Sequence, residues 1–373
     1  MSPVCYHHYK FPPKTIDWEY LSPITANACL ALGTYAGLLL AIPDASLLLA
    51  PLMTQEAVLS SKIEGTRVTM SEVMEIEAGG SPQGVTQAKR DDAEEIINYR
   101  TALRSCADEI SHRPISQQML RQAHGLLMKG VRGRDKSPGT YRNDQNWIGE
   151  PGCTQENAGF VPISPEHLQA GMDAWSQYVI TDQKINPIAK LAIIHVEFEA
   201  LHPFRDGNGR LGRMLIPLFL YQEKILSSPS FYMSNYLEEN RLEYQAKLRA
   251  VSRNDAWTEW IEFFSKGVAM QASLNTEKAT KILQLYSKLK DIAPTITHSQ
   301  HAMRAIDYLF QAPVFSTTNF CRFSLIPVPT AKVILKKLED SNILRVLLRG
   351  SGRRPTFYWF TELMDIIENR SNR

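Results

Sequence analysis

Apolar residues recur at helical spacing over most of the chain, and this pattern predicts a mainly α-helical protein. Within residues 188–201, Leu191, Ile194 and Phe198 follow one another at three- and four-residue steps, so we expect a core helix. The apolar run 214–220 predicts the start of another helix shortly afterwards. The pattern therefore indicates two central helices joined by a short polar loop.

The N-terminal third also has helical patterns. Residues 28–53 are the most apolar stretch and contain Pro43 and Pro51, so they predict two packed helices. Their uninterrupted part is shorter than the ~20 residues that a membrane helix needs, and we expect no membrane association. A helix over 54–63 is expected to end at Gly65, a residue suited to the left-handed position after a helix. A loop at 79–84 precedes a charged amphipathic helix over 88–104.

The last eighty residues have the pattern of a winged helix-turn-helix domain. Helices are predicted at 298–311, 317–323 and 329–340, and two strands, 344–348 and 356–360, enclose a wing tip at 349–355. A helical linker over 276–297 that lasts until Pro294 precedes them. From Arg322 to Arg354 there are eight Lys or Arg and two acids, a local charge of +6. Phosphate contacts require such charge, so DNA is a candidate partner, although these modules also bind proteins or form homodimers.

Composition is ordinary for a globular protein. The 373 residues, 44% apolar and 21% charged with a net charge of +2, are enough for two or three structural units. The five cysteines are scattered and odd in number, which indicates free thiols in a reducing compartment. The N-terminus lacks a secretory pattern, so we expect a cytoplasmic protein.

One segment, residues 202–213, combines a base, a carboxylate, a glycine-rich turn and two arginines. The turn Gly207-Asn208-Gly209 lets backbone N–H groups approach an anion at the start of the following helix. Arg210 and Arg213 lie three residues apart, on one helix face, where both can reach phosphate oxygens. Asp206 can hold a divalent cation such as Mg²⁺, and His202 is the natural general base.

The sequence HPFRDGNGRLGR matches every fixed position of the HxFx(D/E)GNGRxxR motif, and the chain thereby resembles Fic-domain proteins. The resemblance implies a helical Fic-type core that binds ATP with Mg²⁺. His202 would deprotonate a Ser, Thr or Tyr hydroxyl of a target protein, and the hydroxyl would attack the α-phosphate, so that AMP is transferred and pyrophosphate leaves. Asp206 would bind the metal. The nucleotide-binding residues would be Gly207, Asn208, Gly209, Arg210, Leu211, Gly212 and Arg213.

Residues 60–65, Ser-Ser-Lys-Ile-Glu-Gly, resemble the inhibitory motif (S/T)xxxE(G/N) of many Fic proteins. Ser60, Glu64 and Gly65 occupy its defined positions. The resemblance implies that Glu64 pairs with Arg213 and occupies space that the γ-phosphate of ATP needs. The sequence therefore predicts an enzyme that inhibits itself at rest.

Residues 139–142, 147–149 and 158–162 bracket a turn-rich stretch and resemble the β-hairpin flap with which Fic proteins clamp a target strand. Gly159, Phe160 and Val161 are its candidate contacts with nucleotide or target. Arg142 either contacts substrate or stabilises the loop.

A helix expected from residue 235 would flank the adenine and ribose in a Fic protein. Tyr236, Asn240 and Tyr244 share one face at four-residue steps, which suits adenine stacking, although an aromatic stripe at this spacing more often forms a core face. His195, seven residues before His202, is expected to be a buried histidine that supports the motif loop.

The leading hypothesis is a protein adenylyltransferase restrained by Glu64, which also modifies itself if its own hydroxyls are accessible. The alternatives are an ATP-sensing, DNA-binding transcriptional regulator and a Fic enzyme that removes AMP; some Fic proteins also transfer phosphate or phosphocholine. The expected units are an N-terminal helical region at 1–105, a Fic core with a β-hairpin flap at 106–275, a linker at 276–295 and a winged-helix domain at 296–373.

Overall fold

The computed structural model describes residues 2–42, 44–81, 85–130, 136–150, 152–181, 184–352 and 354–369, and this part of the chain is mostly helical. The prediction of a mainly α fold is therefore confirmed. Pro43, the loop residues 82–84 and Arg353 of the expected wing tip lie outside the described residues.

The helices of the first three quarters of the chain enclose one continuous apolar core. In chain order they are α1 (Trp18–Ala41), α2 (Ala45–Leu48), α3 (Ala50–Ile63), α4 (Met70–Glu77), α5 (Gln87–Ile110), α6 (Gln117–Leu127), α7 (Pro165–Ile180), α8 (Pro187–Leu201), α9 (Asn208–Gln222), α10 (Ser234–Glu239), α11 (Arg241–Asn254) and α12 (Trp257–Thr297).

Helix α1 begins ten residues before the apolar stretch that predicted it. The carboxylate of Asp17 accepts a hydrogen bond from the Tyr20 N–H over 2.9 Å and caps the helix. Within the described residues, α1 with its 24 residues is long and apolar enough to cross a membrane, so the expectation of a stretch too short for this was wrong. In this structure α1 packs lengthwise against α12.

The two predicted central helices are α8 and α9. Helix α8 is buried on all sides, and the indole N–H groups of Trp175 and Trp260 donate to its Ile194 and Ala192 carbonyls over 2.9 and 2.7 Å. Helix α9 begins at Asn208, six residues earlier than predicted, because the chain passes directly from the motif loop into the helix. Both motif arginines therefore lie in its first two turns.

Two other helices differ from the predictions. The helix expected to run from residue 235 through 244 is divided at Asn240, whose φ of −108° and ψ of 30° end α10 and precede α11. Helix α12 has 41 residues and runs unbroken through the expected linker and past Pro294. The division of the chain into separate units remains a prediction.

The flap contains less sheet than expected. Strand β2 (Phe160–Val161) forms a single antiparallel bridge with Ile148, and a short 3₁₀ turn (Gln155–Asn157) lies between them. A parallel strand that the sequence analysis did not predict, β1 (Val4–Cys5), pairs with the other edge of β2.

The C-terminal elements follow the predicted order closely. Predicted and observed elements coincide at 317–323 and 344–348, whereas the first helix begins at residue 302 because His298 ends α12 in a left-handed conformation. The elements are α13 (Ala302–Gln311), β3 (Val314–Ser316), α14 (Thr317–Phe323), α15 (Val328–Asp340), β4 (Leu344–Leu348), β5 (Phe357–Phe360) and α16 (Thr361–Glu368). The three strands form an antiparallel sheet in the order β3-β5-β4, and β3 and α16 were not predicted.

Part of the positive charge of this C-terminal unit is neutralised internally. Lys336 lies 2.8 Å from the carboxylate of Asp340, and Arg349 lies 2.7 Å from that of Glu339. The Lys337 ammonium donates to the Thr297 carbonyl over 2.9 Å. The winged-helix assignment and DNA binding both remain predictions.

Candidate active site

The motif loop is held together by one amide side chain. The Asn208 side-chain oxygen accepts from the Phe204 N–H, and its NH₂ group donates to the Phe204 carbonyl, each over 2.8 Å. Asn208 is buried, and Gly207 has a left-handed φ of +78°, so the loop closes tightly just before α9. The first N–H groups of α9 have no acceptor within the helix and form a site suited to a phosphate.

His124 on α6 contacts the motif loop and stabilises it. This residue was not predicted from the sequence. The Gly139 N–H donates to its Nδ1 over 2.8 Å, so the proton resides on Nε2, which donates to the Asp206 carbonyl over 3.0 Å. Its ring stacks on Phe204 with a centroid distance of 3.8 Å. Burial lowers the pKa of His124 to about 4, and the neutral ring keeps this tautomer.

Arg142 stabilises the backbone at His202 rather than facing the cavity as a substrate contact. Its guanidinium is buried and donates to the carbonyls of His202 over 2.9 Å, Leu201 over 3.3 Å and Ile163. Its backbone N–H donates to the Pro203 carbonyl over 2.9 Å. Of the two expectations for Arg142, the structure supports stabilisation of the loop.

His202 ends α8 in a left-handed conformation, with φ of 47°. Its Nδ1 lies 3.3 Å from the Glu199 carbonyl, which can only accept, so Nδ1 carries the proton and Nε2 has a free lone pair. Desolvation lowers the pKa of His202 to about 4, so the ring is neutral at physiological pH. This arrangement can accept a proton at Nε2.

Arg210 lies between two carboxylates. It donates to Glu95 over 2.8 Å and lies 3.5 Å from Asp206. Glu95, on α5, was not identified from the sequence. The Asp206 side chain is 48% exposed, and its carboxylate accepts from the Gly207 N–H over 2.6 Å, so it remains open to a ligand.

Arg213 is bound by Ser60 near the end of α3 and by Glu64, the residue that follows this helix. It donates to the Ser60 hydroxyl and carbonyl, each over 2.9 Å, and to the Glu64 carboxylate over 2.6 Å. A side chain at Gly209 would overlap the Glu64 carboxylate, so this close approach requires glycine. Desolvation raises the pKa of Glu64, but the charge and hydrogen bond of Arg213 together with the charges of Arg210 and His202 outweigh it, so the net pKa is lowered.

A second carboxyl group, that of Glu199, lies near Arg213. It is 9% exposed, and among the described residues its Oε1 has no hydrogen-bond partner. Desolvation raises the pKa of Glu199 to about 7, with Arg213 opposing this effect and Glu64 adding to it. Glu199 therefore changes charge near neutral pH.

A cavity of about 910 Å³ opens beside these groups, a size suited to a small organic ligand. Four elements form its walls: the end of α3, the flap, α8 and α11. The residues that line it include Ile63, Glu64, Gly65, Ile148, Gly149, Glu150, Cys153, Gly159, Phe160, Val196, Glu199, Ala200, Arg241, Gln245, Leu248 and Arg249.

Several predicted site residues lie elsewhere. Tyr236 is buried against Phe263, and Tyr244 is buried with its hydroxyl 2.9 Å from the His195 Nε2, so this face of α10 and α11 belongs to the core. The Asn240 side chain donates to the Tyr236 carbonyl over 2.9 Å. The α11 residues that line the cavity are instead Arg241, Gln245, Leu248 and Arg249, which were not predicted from the sequence.

The remaining candidates are placed as follows. Leu211 is buried in the core, and Gly212 packs against Glu199. His195 is buried, as predicted, and its Nδ1 lies 3.0 Å from the Gly212 carbonyl, so it contacts α9 rather than the loop before this helix. Gly159 and Phe160 line the cavity, whereas Val161 does not.

Comparison with characterised sequences identifies relatives of one kind. A probable protein adenylyltransferase from Aquifex aeolicus is 24% identical over 323 residues, 85% of this chain and 87% of that protein. The protein adenylyltransferase fic-1 of Caenorhabditis elegans is 29% identical over 119 residues, which are 31% of this chain and only 20% of that protein.

Solved structures show the same fold at low sequence identity. A Fic family protein from Desulfovibrio desulfuricans superposes with a TM-score of 0.56 at 19% identity and covers 97% of this chain and 99% of its own. A fragment of C. elegans Fic-1 superposes with a TM-score of 0.55 at 19% identity, covering 72% of this chain and 75% of its own.

Two family models match adjoining parts of the sequence. The Fic/DOC family N-terminal model matches residues 23–108, and the Fic/DOC family model matches residues 114–220. Together they span more than half of the 373 residues, and the chain belongs to the Fic/DOC family.

Proposed function

We propose that this protein transfers AMP from ATP to a hydroxyl group of a protein, and that Glu64 restrains the reaction. The observation that carries the proposal is the Glu64–Arg213 pair, which occupies a phosphate-binding arginine directly beside a neutral histidine and the N-terminus of α9. The relatives named protein adenylyltransferase support the same activity.

The chemistry uses groups already in place. The hydroxyl of the target loses its proton to Nε2 of His202, and its oxygen forms a bond to the α-phosphorus of ATP. The bond from this phosphorus to the bridging oxygen breaks, and pyrophosphate leaves. Arg210, Arg213 and the first N–H groups of α9 stabilise the phosphate charges, because reactions of this kind depend on positioning and electrostatics.

The donors fit a metal ion that is bound mainly by the nucleotide. Among the described residues no group of three or more His, Cys, Asp or Glu side chains is arranged to hold a metal. Asp206, half-exposed beside the α9 N-terminus, would supply one carboxylate, and phosphates and water would complete the coordination of Mg²⁺. When bound, Mg²⁺ would neutralise phosphate charge.

Glu64 would act as a brake, by which we mean the Glu64 carboxylate in its contact with Arg213. While the contact lasts, the Nε and Nη2 donors of Arg213 are directed to Ser60 and Glu64 and are not available to a phosphate oxygen. The carboxylate also places negative charge at the edge of the cavity. ATP must displace this carboxylate or bind with its phosphates misaligned.

The target strand would add to the flap at Trp147 and Gly149. Ile148 exchanges both backbone hydrogen bonds with Phe160, over 2.9 and 3.0 Å. In an extended strand the backbone N–H and C=O groups of the adjacent residues, Trp147 and Gly149, therefore point to the opposite side. The far edge of Phe160 and Val161 is already paired with β1. We therefore assign the target contact to residues 147–149 rather than to the predicted Gly159, Phe160 and Val161.

Transfer of labelled AMP from α-labelled ATP with Mg²⁺ tests the proposal. We expect label on the protein itself, or on proteins of a cell lysate, with Glu64→Gly, much less with wild type, and none with Glu64→Gly combined with His202→Ala. Lys62→Ala, an exposed position on the same helix, is the matched control and should behave as wild type. Absence of label with Glu64→Gly, while ATP still binds, would refute the proposal.

A further inference from the structure

The N-terminal residues 4–7 contact the flap although they precede it by more than 150 positions. Val4 and Cys5 pair in parallel with Phe160 and Val161, and the Tyr6 N–H donates to the Val161 carbonyl over 3.0 Å. Strand β2 thus lies between Ile148 on one edge and β1 on the other. Since β2 has only two residues, its position depends on both neighbours.

The side chain of Val4 lies directly behind the cavity wall. It forms a small apolar cluster with Phe160 and Ala200, against which Tyr6 also packs. Phe160 and Ala200 both line the cavity, and Ala200 is two residues before His202. A displacement of β1 would therefore move the flap wall relative to the catalytic histidine.

Two polar side chains anchor the segment to the helices on either side. Both carboxylate oxygens of Glu197 are used: one accepts from the Tyr6 hydroxyl over 2.7 Å and the other lies 2.8 Å from His7 Nε2. His7 Nδ1 lies 2.7 Å from the Ser252 hydroxyl. The side chains of His7 and Glu197 are fully buried, and the edge of the His7 ring meets the ring of Trp257.

These contacts join three of the four walls of the cavity. Glu197 belongs to α8 and lies five residues before His202, and Ser252 belongs to α11, which presents Gln245 and Leu248 to the cavity. Strand β1 itself holds the flap. A bridge between buried polar partners maintains one relative position of these elements, because losing either partner leaves the other unsatisfied.

We propose that residues 4–7 are a positioning element, which sets the flap and α11 against the catalytic helix so that nucleotide and target hydroxyl meet His202. Tyr6 and His7 act through Glu197 and Ser252 and do not touch substrate. The expected effect on AMP transfer rests on the proposed function, whereas the expected effect on the position of the flap does not.

The test uses the full chain carrying Glu64→Gly, with His7→Ala and Tyr6→Phe as the disrupting variants. His7→Gln, which can still hydrogen-bond to Glu197 and Ser252, is the conservative variant. Tyr9→Asn is the matched control, because Tyr9 is 95% exposed and asparagine tolerates its positive φ. Hydrogen exchange of residues 147–161 and the kinetics of AMP transfer are measured well below each variant's melting temperature.

We expect His7→Ala to accelerate exchange of the flap amides and to raise KM for ATP and for the protein target. kcat/KM should fall roughly 10- to 100-fold, as misplacement of reacting groups does, with Tyr6→Phe intermediate and His7→Gln largely restored. A purely structural role would lower the melting temperature and the active fraction while KM and flap exchange stay unchanged, and that outcome would overturn the proposal.

Failure of this inference can be told apart from failure of the proposed function. If no variant transfers AMP, the proposed function fails, while flap exchange with and without ATP still tests the positioning element. If Glu64→Gly transfers AMP and His7→Ala matches it in both exchange and kinetics, only the positioning element is refuted.

Discussion

Replacing Glu64 by glutamine separates the charge of the brake from its size. Glutamine keeps an oxygen that can accept the Arg213 hydrogen bond, which spans 2.6 Å in the native protein, and it fills the same space. Arg213 also keeps its two contacts with Ser60. The substitution therefore removes chiefly the attraction between two opposite charges.

The magnitude follows from exposure. Arg213 is buried, but the Glu64 side chain is 42% exposed, so solvent screens the pair and we assign it about 1 kcal/mol. A loss of about 1 kcal/mol changes the ratio of closed to open brake about fivefold. Glu64→Gly removes the volume of the side chain and its hydrogen bond to Arg213 as well as the charge, and should activate more strongly than glutamine.

Initial rates of AMP transfer, measured at equal protein and ATP concentrations, rank the wild type and the two Glu64 variants by activity. We expect wild type to be slowest, Glu64→Gln about fivefold faster and Glu64→Gly fastest. Added salt should activate wild type more than the glutamine variant, because screening weakens only the charged pair. If the Glu64→Gln variant transfers AMP at the wild-type rate at every salt concentration, the charge of Glu64 has no part in the brake. If its rate equals that of Glu64→Gly, the volume that the side chain occupies has no part in the brake.

Three further predictions concern the groups around the motif loop. His124→Ala removes the hydrogen bond to the Asp206 carbonyl and should lower the free energy of unfolding by about 2 kcal/mol in a urea titration and slow transfer; unchanged stability and rate would contradict its supporting role. The pKa of His202 is depressed to about 4, so the ring stays neutral as pH falls. The rate of AMP transfer by the Glu64→Gly variant should therefore not decrease near pH 6.5, the ordinary histidine pKa. A decrease near pH 6.5 that no other substitution removes would contradict a depressed pKa of His202. The pKa of Glu199 is raised to about 7, so Glu199 is neutral below that pH and ionised above it. KM for ATP should rise as pH increases through about 7 and should stay low in the Glu199→Gln variant. If KM depends on pH in the same way with and without this substitution, ionisation of Glu199 has no effect on ATP binding.

Much of the site could be predicted because its chemistry is local in the chain. The motif from His202 to Arg213 is contiguous, so a tight turn and a helix start place a base, a carboxylate and two arginines together whatever surrounds them. Helical spacing likewise identified α8 and most C-terminal elements, because the period of apolar residues reflects burial of one face.

Boundaries were less predictable where capping or tertiary contacts decide them. Helix α1 begins at Trp18, where Asp17 caps it, and its buried positions Leu21 and Thr25 continue the helical spacing of the later apolar residues. The predicted adenine-binding face is core, because Tyr236 and Tyr244 are buried against aromatic neighbours, and Gln245 and Leu248 line the cavity instead. Periodicity shows which residues share a helix face but not which neighbour that face meets, and packing decides the neighbour.

The sequence alone was enough to predict the helical class and to select the motif from His202 to Arg213 and the candidate inhibitory residue Glu64, because each is recognised within a short segment. The distant groups that support the candidate site could be identified only from the packed fold. His124, Glu95 and the pair of Tyr6 and His7 reach the site from 80 or more residues away, and nothing in their local sequence marks them. Contacts of this kind depend on how helices pack, and packing is a property of the whole chain rather than of any segment.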